Sequence, residues 1–68
     1  MIYTDMESLV LAIWQTDADD VASLKRFGDI ARAYYDALHN APDGIFGVGA
    51  IVYAERAMID YQLGLVEV

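Results

Sequence analysis

The sequence predicts an all-α fold, a small three-helix bundle that residues 1–68 form as a single helical domain. Apolar residues recur at helical spacing in three segments, and turn-forming residues separate these segments at two places. The chain has no cysteine, so one small core without disulfides must hold it together. Hydrophobic residues nevertheless make up 57% of the sequence, and we therefore expect more apolar surface than one copy can cover.

The first helix is expected to begin at Thr4 and to run to about Gln15. Thr4 and Glu7 have the spacing of a capping box, in which the two side chains bind backbone N–H groups of the first turn. Trp14 carries the largest apolar side chain in the sequence, and we expect it to anchor the core. The buried stripe predicted from helical spacing consists of Met6, Leu9, Val10, Ile13 and Trp14.

The acidic segment at residues 16–20 predicts a helix boundary. Either Thr16 or Asp17 can cap a second helix, which is expected to run from about Ala18 to His39. Neighbouring side chains of a helix point in different directions, so two adjacent tyrosines of this helix cannot both be fully buried. The apolar positions of the second helix are Val21, Leu24, Phe27, Ala31, Tyr34, Tyr35 and Leu38.

The opposite face of the second helix carries charges of alternating sign, which can pair along a solvent-exposed surface. These charged residues are Lys25, Asp29, Arg32 and Asp36. The pattern continues through Gly28, and we favour one helix that is weakened there, because glycine costs about 1 kcal/mol relative to alanine in a helix. Two shorter helices hinged at Gly28 are the alternative.

Residues His39 to Gly44 combine helix-ending and turn-forming types, and they predict a turn before a third helix. This helix is expected to begin near Gly44–Phe46 and to continue to about Leu63. The segment from Gly44 to Ala54 carries no charge, so we expect the helix to be buried rather than to lie on a surface. Its predicted apolar stripe, with small residues that allow close helix packing, consists of Gly47, Ala50, Ile51, Ala54, Met58 and Tyr61.

Gly64 is expected to end the third helix. The tail Leu65–Val68 alternates apolar and polar residues, which is typical of a strand. Two interpretations remain open: the tail forms a short strand pair with Ile2 and Tyr3, or it extends the third helix through Gly64.

No motif of the sequence carries recognisable chemistry. The glycines at 44, 47 and 49 do not form a nucleotide-binding loop, since the Rossmann fingerprint would need glycine or alanine at Val52 and no Gly-Lys-Ser/Thr follows. The acids at 17, 19 and 20 do not form a calcium loop, because Ala22 and Gly28 occupy the positions of its glycine and glutamate. The single histidine, His39, lies at a predicted turn. We predict no catalytic residue, no metal site and no cofactor.

The net charge of −7, from eleven acids and four bases, argues against direct binding of nucleic acid or of anionic membranes. It favours a protein partner with a basic surface. The simplest alternative is that the acids only keep an apolar protein in solution. The acidic N-terminal segment does not resemble a signal peptide, and the longest uncharged run is far shorter than the roughly 20 residues of a membrane span. The lack of cysteine is typical of the cytoplasm.

Two groups of residues are candidates for partner binding. The acids could substitute for phosphates on a basic surface; they are Asp17, Asp19, Asp20, Asp29, Asp36, Glu55 and Asp60. Tyrosine is enriched at protein interfaces, and the candidate aromatic anchors are Tyr35 and Tyr53.

In size, charge and lack of motifs, this profile resembles the small acidic inhibitors that bacteriophages make against host defence, the anti-CRISPR proteins among them. The resemblance covers no alignable residues, so it transfers no site residue. It implies an inhibitor or modulator of a nucleic-acid-handling protein that acts as a nucleic-acid mimic. The alternative function is a structural module that homodimerises through its apolar third helix.

Overall fold

The computed structural model describes residues 1–42 and 44–67, with side chains through Leu65. It contains three helices, α1 (Met6–Trp14), α2 (Val21–His39) and α3 (Val48–Glu67). The described ranges contain no strand, and the predicted all-α three-helix bundle is confirmed. Asp43 of the predicted turn and Val68 of the predicted tail lie outside the described residues.

The two long helices α2 and α3 form an antiparallel hairpin, and the short helix α1 packs mainly against α2. The chain measures 41 × 27 × 16 Å along its principal axes, and its Cα radius of gyration is 12.6 Å. A compact chain of this length has a radius of gyration of about 11 Å. The molecule is therefore elongated and thin, which leaves it little interior relative to its surface.

The core is a single cluster in which each helix contributes at least one buried side chain. Its buried members are Leu9, Ile30, Tyr34, Ala54 and Met58. Ile30, which is fully buried, is missing from the predicted stripe of α2, whereas Ala31 was included and is only partly buried. Ile30 lies three residues after Phe27 and four before Tyr34, so it occupies the middle of the face that packs on α3.

A buried amide joins the N-terminal arm to the last helix. The Gln62 side chain is 1% exposed. Its Oε1 accepts from the Tyr3 backbone N–H at 2.8 Å, and its Nε2 donates to the Tyr3 carbonyl at 2.7 Å. The same Nε2 also donates to the Met58 carbonyl of α3 at 2.9 Å, so both amide hydrogens are used. The Tyr3 ring then packs edge-on against Phe27 of α2, with ring centroids 5.6 Å apart.

Aspartates cap the first two helices in the same way. The Asp5 carboxylate accepts from the Ser8 N–H at 2.7 Å, and the Asp20 carboxylate accepts from the Ser23 N–H at 3.1 Å. The hydrogen bonds from these serines lower the pKa of both carboxyl groups. A carboxylate in this position also interacts favourably with the positive end of the helix dipole.

The predicted caps Thr4, Thr16 and Asp17 are therefore wrong, and both helices begin later than expected. Asp5 displaces Thr4 because a carboxylate is a stronger acceptor than a hydroxyl. The Thr16 hydroxyl is used elsewhere, since it donates to the Ala12 carbonyl at 2.7 Å and closes the end of α1.

The predicted burial of α1 is right for Leu9 and wrong at two of its positions. Trp14 is 79% exposed, and Val10 is also exposed. Leu9 points into the core, and at 100° per residue Trp14 points about 140° away from Leu9. The helix is short and packs mainly against one partner, so only one side of it finds protein to contact. Trp14 is not the predicted core anchor.

The buried positions of α3 recur at every fourth residue, namely Ala50, Ala54, Met58 and Gln62. The predicted stripe is wrong at Gly47, which precedes the helix, and at Ile51 and Tyr61, which are exposed. Steps of four move the contact line around the helix by about 40° each, so the buried stripe ends on Gln62 rather than on Tyr61. The expectation that α3 is buried rather than exposed is also wrong, because only one side of it is covered.

Helices α2 and α3 both continue through a glycine. The structure has one helix across Gly28, as favoured, and α3 passes through Gly64 to Glu67. The predicted end at Gly64 and the strand interpretation of the tail are therefore wrong, and residues 65–67 extend the helix. The glycines with positive φ lie in the connection instead, with φ values of 88° at Gly44 and 62° at Gly47, so α3 begins after the expected position.

Replacing Gly28 by alanine is expected to raise the free energy of unfolding by about 0.5–1 kcal/mol, because glycine is costly inside a helix. A Cβ at this position would project into open space, so no clash offsets the gain. The matched control is Gly47→Ala, which also meets no neighbour but is strained by its positive φ and should destabilise. Urea denaturation of both variants checks this, and no gain for Gly28→Ala would indicate two hinged helices.

Replacing Asp20 by alanine should lower the melting temperature, because α2 loses its cap. The neighbouring Asp19→Ala variant changes the net charge equally and should have little effect. The pKa of Asp20 is lowered in the folded protein, so its stabilising contribution is complete above the unfolded value of about 3.9 and disappears as the pH falls through the folded value. Melting curves of wild type and both variants between neutral and acidic pH test this, and equal losses for the two variants would contradict it.

Replacing Gln62 by glutamate should destabilise the fold at pH 7 by about 1–3 kcal/mol, because the carboxylate faces two carbonyl oxygens that had accepted from the amide. These neighbours raise the folded pKa of the new acid above its unfolded value, so the loss should shrink as the pH falls and a proton restores a donor. The control is Gln15→Glu at an exposed position. Chemical denaturation across pH measures the difference, and a loss that does not depend on pH would refute this role of Gln62.

Candidate partner-binding surfaces

The charge of the molecule is polarised along the chain. The first twenty residues contain five acids and no base, whereas residues 21–42 and 44–66 contain four acids and four bases. The first part therefore contributes −5 to the net charge and the second contributes 0. Asp43 and Glu67 add the remaining −2 of the net charge of −7. The five N-terminal acids are Asp5, Glu7, Asp17, Asp19 and Asp20.

Three of the predicted partner-binding acids are paired within their own helices. Each of them follows a base by four residues and lies close to it. The pairs are Lys25–Asp29 at 3.6 Å, Arg32–Asp36 at 3.7 Å and Arg56–Asp60 at 3.5 Å. The two pairs on α2 confirm the predicted charged face. All three are exposed and contribute little to stability, but they compensate the negative charge that these acids would present to a partner.

The connection between α1 and α2, which we call the acidic turn (residues 16–20), presents uncompensated carboxylates. It has a defined backbone, because the Asp20 N–H donates to the Asp17 carbonyl at 3.0 Å and the Val21 N–H donates to the Asp19 carbonyl at 2.9 Å. The side chains of Asp17 and Asp19 are exposed. Asp20 is exposed as well, but its carboxylate caps α2 and therefore has a structural role.

Glu55 differs from the other predicted acids because it is half-buried. It lies near Tyr34 of α2, where burial raises the pKa of the tyrosine and the charge of Glu55 raises it further. Glu55 therefore belongs to the contact between α2 and α3.

The two predicted aromatic anchors are both exposed. Tyr35 lies on α2 and Tyr53 on α3. The ring of Tyr35 packs edge-on against the buried ring of Tyr34, with centroids 5.2 Å apart, which confirms that only one of these adjacent tyrosines points inward.

Two shallow hollows are present on the described surface. One hollow, of about 350 Å³, lies between the N-terminal arm and α1, and no acidic or basic side chain lines it. Its lining residues are Met1, Ile2, Tyr3, Thr4, Ser8, Leu11, Ala12 and Gln15. The other, of about 370 Å³, brings Tyr61 of α3 beside charged residues of α2, and its lining is Asp29, Arg32, Ala33, Asp36 and Tyr61. The structure thus places Asp29 and Asp36 on one groove, where ion pairs already engage their carboxylates.

Large apolar side chains are exposed at the start of α3, and they were not among the residues predicted to form a surface. Five of them lie within eight consecutive positions, namely Ile45, Phe46, Val48, Ile51 and Val52. An uncharged segment was interpreted as a buried one. The available signal was the placement of small residues: Ala50 and Ala54 face α2, so the larger side chains between them must face outward.

The described part of the chain contains no group of three or more histidine, cysteine, aspartate or glutamate residues that could hold a metal ion. None of the helices there has both the length and the apolar character needed to cross a bilayer. Comparison with protein-family models, curated proteins and solved structures gives no match to the chain.

Proposed function

We propose that this protein is a non-catalytic protein-binding module that occupies a basic surface of a nucleic-acid-handling protein and acts as its inhibitor or modulator. The observation that carries the proposal is the polarised charge: the acidic turn and the start of α1 hold five acids and no base, whereas residues 21–42 and 44–66 are balanced. Acids without neighbouring bases would steer the N-terminal part of the chain toward a basic partner.

In this proposal, the carboxylates of Asp17 and Asp19 take the places of phosphates on the partner. Both are exposed on a turn whose backbone hydrogen bonds already fix its conformation, so little ordering is needed when the partner binds. Trp14 ends α1 next to the acidic turn and is exposed, and tryptophan is among the residues most enriched at the energetic centres of interfaces. It would supply the apolar anchor beside the acids.

The other residues predicted to contact the partner remain part of the proposal, but they are expected to contribute unequally to binding. Tyr35 and Tyr53 are exposed and stay candidate anchors, whereas the acids paired within α2 and α3 would contribute less. The proposal includes neither a cofactor nor direct contact with nucleic acid or a membrane. A chain without cysteine suits a reducing compartment, and we place the activity in the cytoplasm.

Changing Asp17 and Asp19 together to asparagine should weaken binding to a basic partner by about tenfold or more, because it removes two charges that no base compensates. The matched control is Asp29→Asn with Asp36→Asn, which removes the same charge from two paired acids and should change the affinity much less. Capture from cell extract would first identify basic partners, and titration of a purified partner at low and moderate salt would then give the dissociation constants.

Binding of wild type should weaken as salt rises, and the Asp17/Asp19 variant should show a shallower salt dependence. Equal effects of the two double variants would remove the acidic turn from the proposal. Binding that is insensitive to salt would remove the charged-surface mechanism altogether. The Trp14→Ala variant, whose net charge is unchanged, should weaken binding at all salt concentrations.

A second candidate function is a structural module that homodimerises. The exposed apolar residues at the start of α3 favour it, because contiguous apolar surface is unfavourable in water. The two functions are compatible, since a dimer could present two acidic turns.

A further inference from the structure

The accessible surface of the chain is larger than its mass requires. It amounts to 4960 Å² for 7.5 kDa. A folded monomer of that mass exposes about 4,250 Å², so the excess is about 700 Å². If two copies each covered that excess, they would bury about 1,400 Å² in total, which lies within the range of about 1,200–2,000 Å² for specific protein interfaces. The surplus of the whole chain is therefore of the size that a specific interface between two copies would bury.

Five of the exposed large apolar side chains lie within one stretch of eight residues, which we call the Ile45–Val52 surface. Phe46 is 79% exposed and Val48 is 76% exposed. Val48 and Val52 are four residues apart on α3, so their side chains are neighbours on one face of the helix. No acidic or basic residue occurs between positions 44 and 54.

Backbone hydrogen bonds and one side-chain contact support this surface. The Ile45 N–H donates to the Pro42 carbonyl at 3.1 Å, and the Ile51 N–H donates to the Gly47 carbonyl at 3.2 Å. The Ile45 side chain lies against Gly49, where an added Cβ would come within 3.4 Å of it. A surface that is ordered before binding loses less conformational entropy when a partner covers it.

The occupant that fits this surface is a second copy of the chain. A basic partner would gain nothing electrostatic from it, because it is uncharged, whereas an identical uncharged apolar surface is complementary to it. The acidic turns of the two copies do not oppose the contact. The acidic turn lies at the start of α2, and the connection to α3 lies at its end, about 28 Å away. That separation exceeds three Debye lengths at physiological salt, each about 8 Å.

We propose that the Ile45–Val52 surface forms an isologous contact between two copies of this chain, in which the first turns of the two α3 helices pack on each other. The inference deepens the assembly candidate and does not depend on the proposed binding to a basic partner. In a two-fold contact the same patch serves both copies, so each substitution in it acts twice. The resulting dimer would carry an acidic turn at each end.

The test is the oligomeric state of the purified chain, measured by sedimentation equilibrium over micromolar concentrations at 0.1 M and 1 M salt, which are roughly the weakly and strongly screened regimes. Wild type should dimerise at both salt concentrations. Val52→Glu should raise the dimer dissociation constant by about tenfold or more, because two buried charges would face each other. The control Val21→Glu makes the same chemical change at an exposed helical position that is 70% exposed and should leave the dimer unchanged.

Circular dichroism of each variant establishes that its helices are intact. If Val52→Glu fails to fold, Phe46→Ser tests the same surface at a position that precedes α3. A wild type that is monomeric throughout this range would overturn the inference, as would dimers that Val21→Glu disrupts and Val52→Glu does not. If Val52→Glu loses the dimer but still binds a basic partner in a salt-dependent way, then the Ile45–Val52 surface mediates dimerisation independently of the acidic turn.

Discussion

The packing of α3 on α2 through small side chains is the constraint on which the rest of the structure depends. Ala50 and Ala54 occupy the inward positions in the first half of α3, and the large buried side chains of Ile30 and Tyr34 come from α2. Larger apolar residues of the same segment cannot share that interface and must point outward. The exposed apolar residues at the start of α3 follow from this choice of residues.

Much of this fold could be predicted from the sequence, because it depends on local patterns. The spacing of apolar and charged residues in the sequence is enough to predict three helices and the continuity of α2 through Gly28. It also predicts the ion pairs of α2 between residues four positions apart. The exposure of Trp14 could not be predicted in this way. The spacing of apolar residues predicts an apolar stripe along a helix. Which side of that stripe is covered by other helices depends on the length of the helix and on how many helices pack against it.

The buried amide of Gln62 was missed for a related reason. Polar residues are normally assigned to the solvent face, and only the path of the N-terminal arm makes this amide a partner for a backbone segment 59 residues away. The acidic turn can be recognised in the sequence as a run of acids. The ion pairs in the structure are needed to see that its acids are uncompensated, whereas acids of α2 and α3 are paired with bases. Spacing could predict those pairs on α2, yet it could not say how much charge they leave for a partner.

The bond between Tyr3 and Gln62 has a consequence for the order in which the chain folds. The hairpin of α2 and α3 joins segments that are close in sequence, whereas the bond to the arm closes a loop that contains almost the whole chain. Closing a long loop costs entropy that only an already formed hairpin can offset. We therefore expect the arm to dock last, and during synthesis it must wait for the final turns of α3 to leave the ribosome.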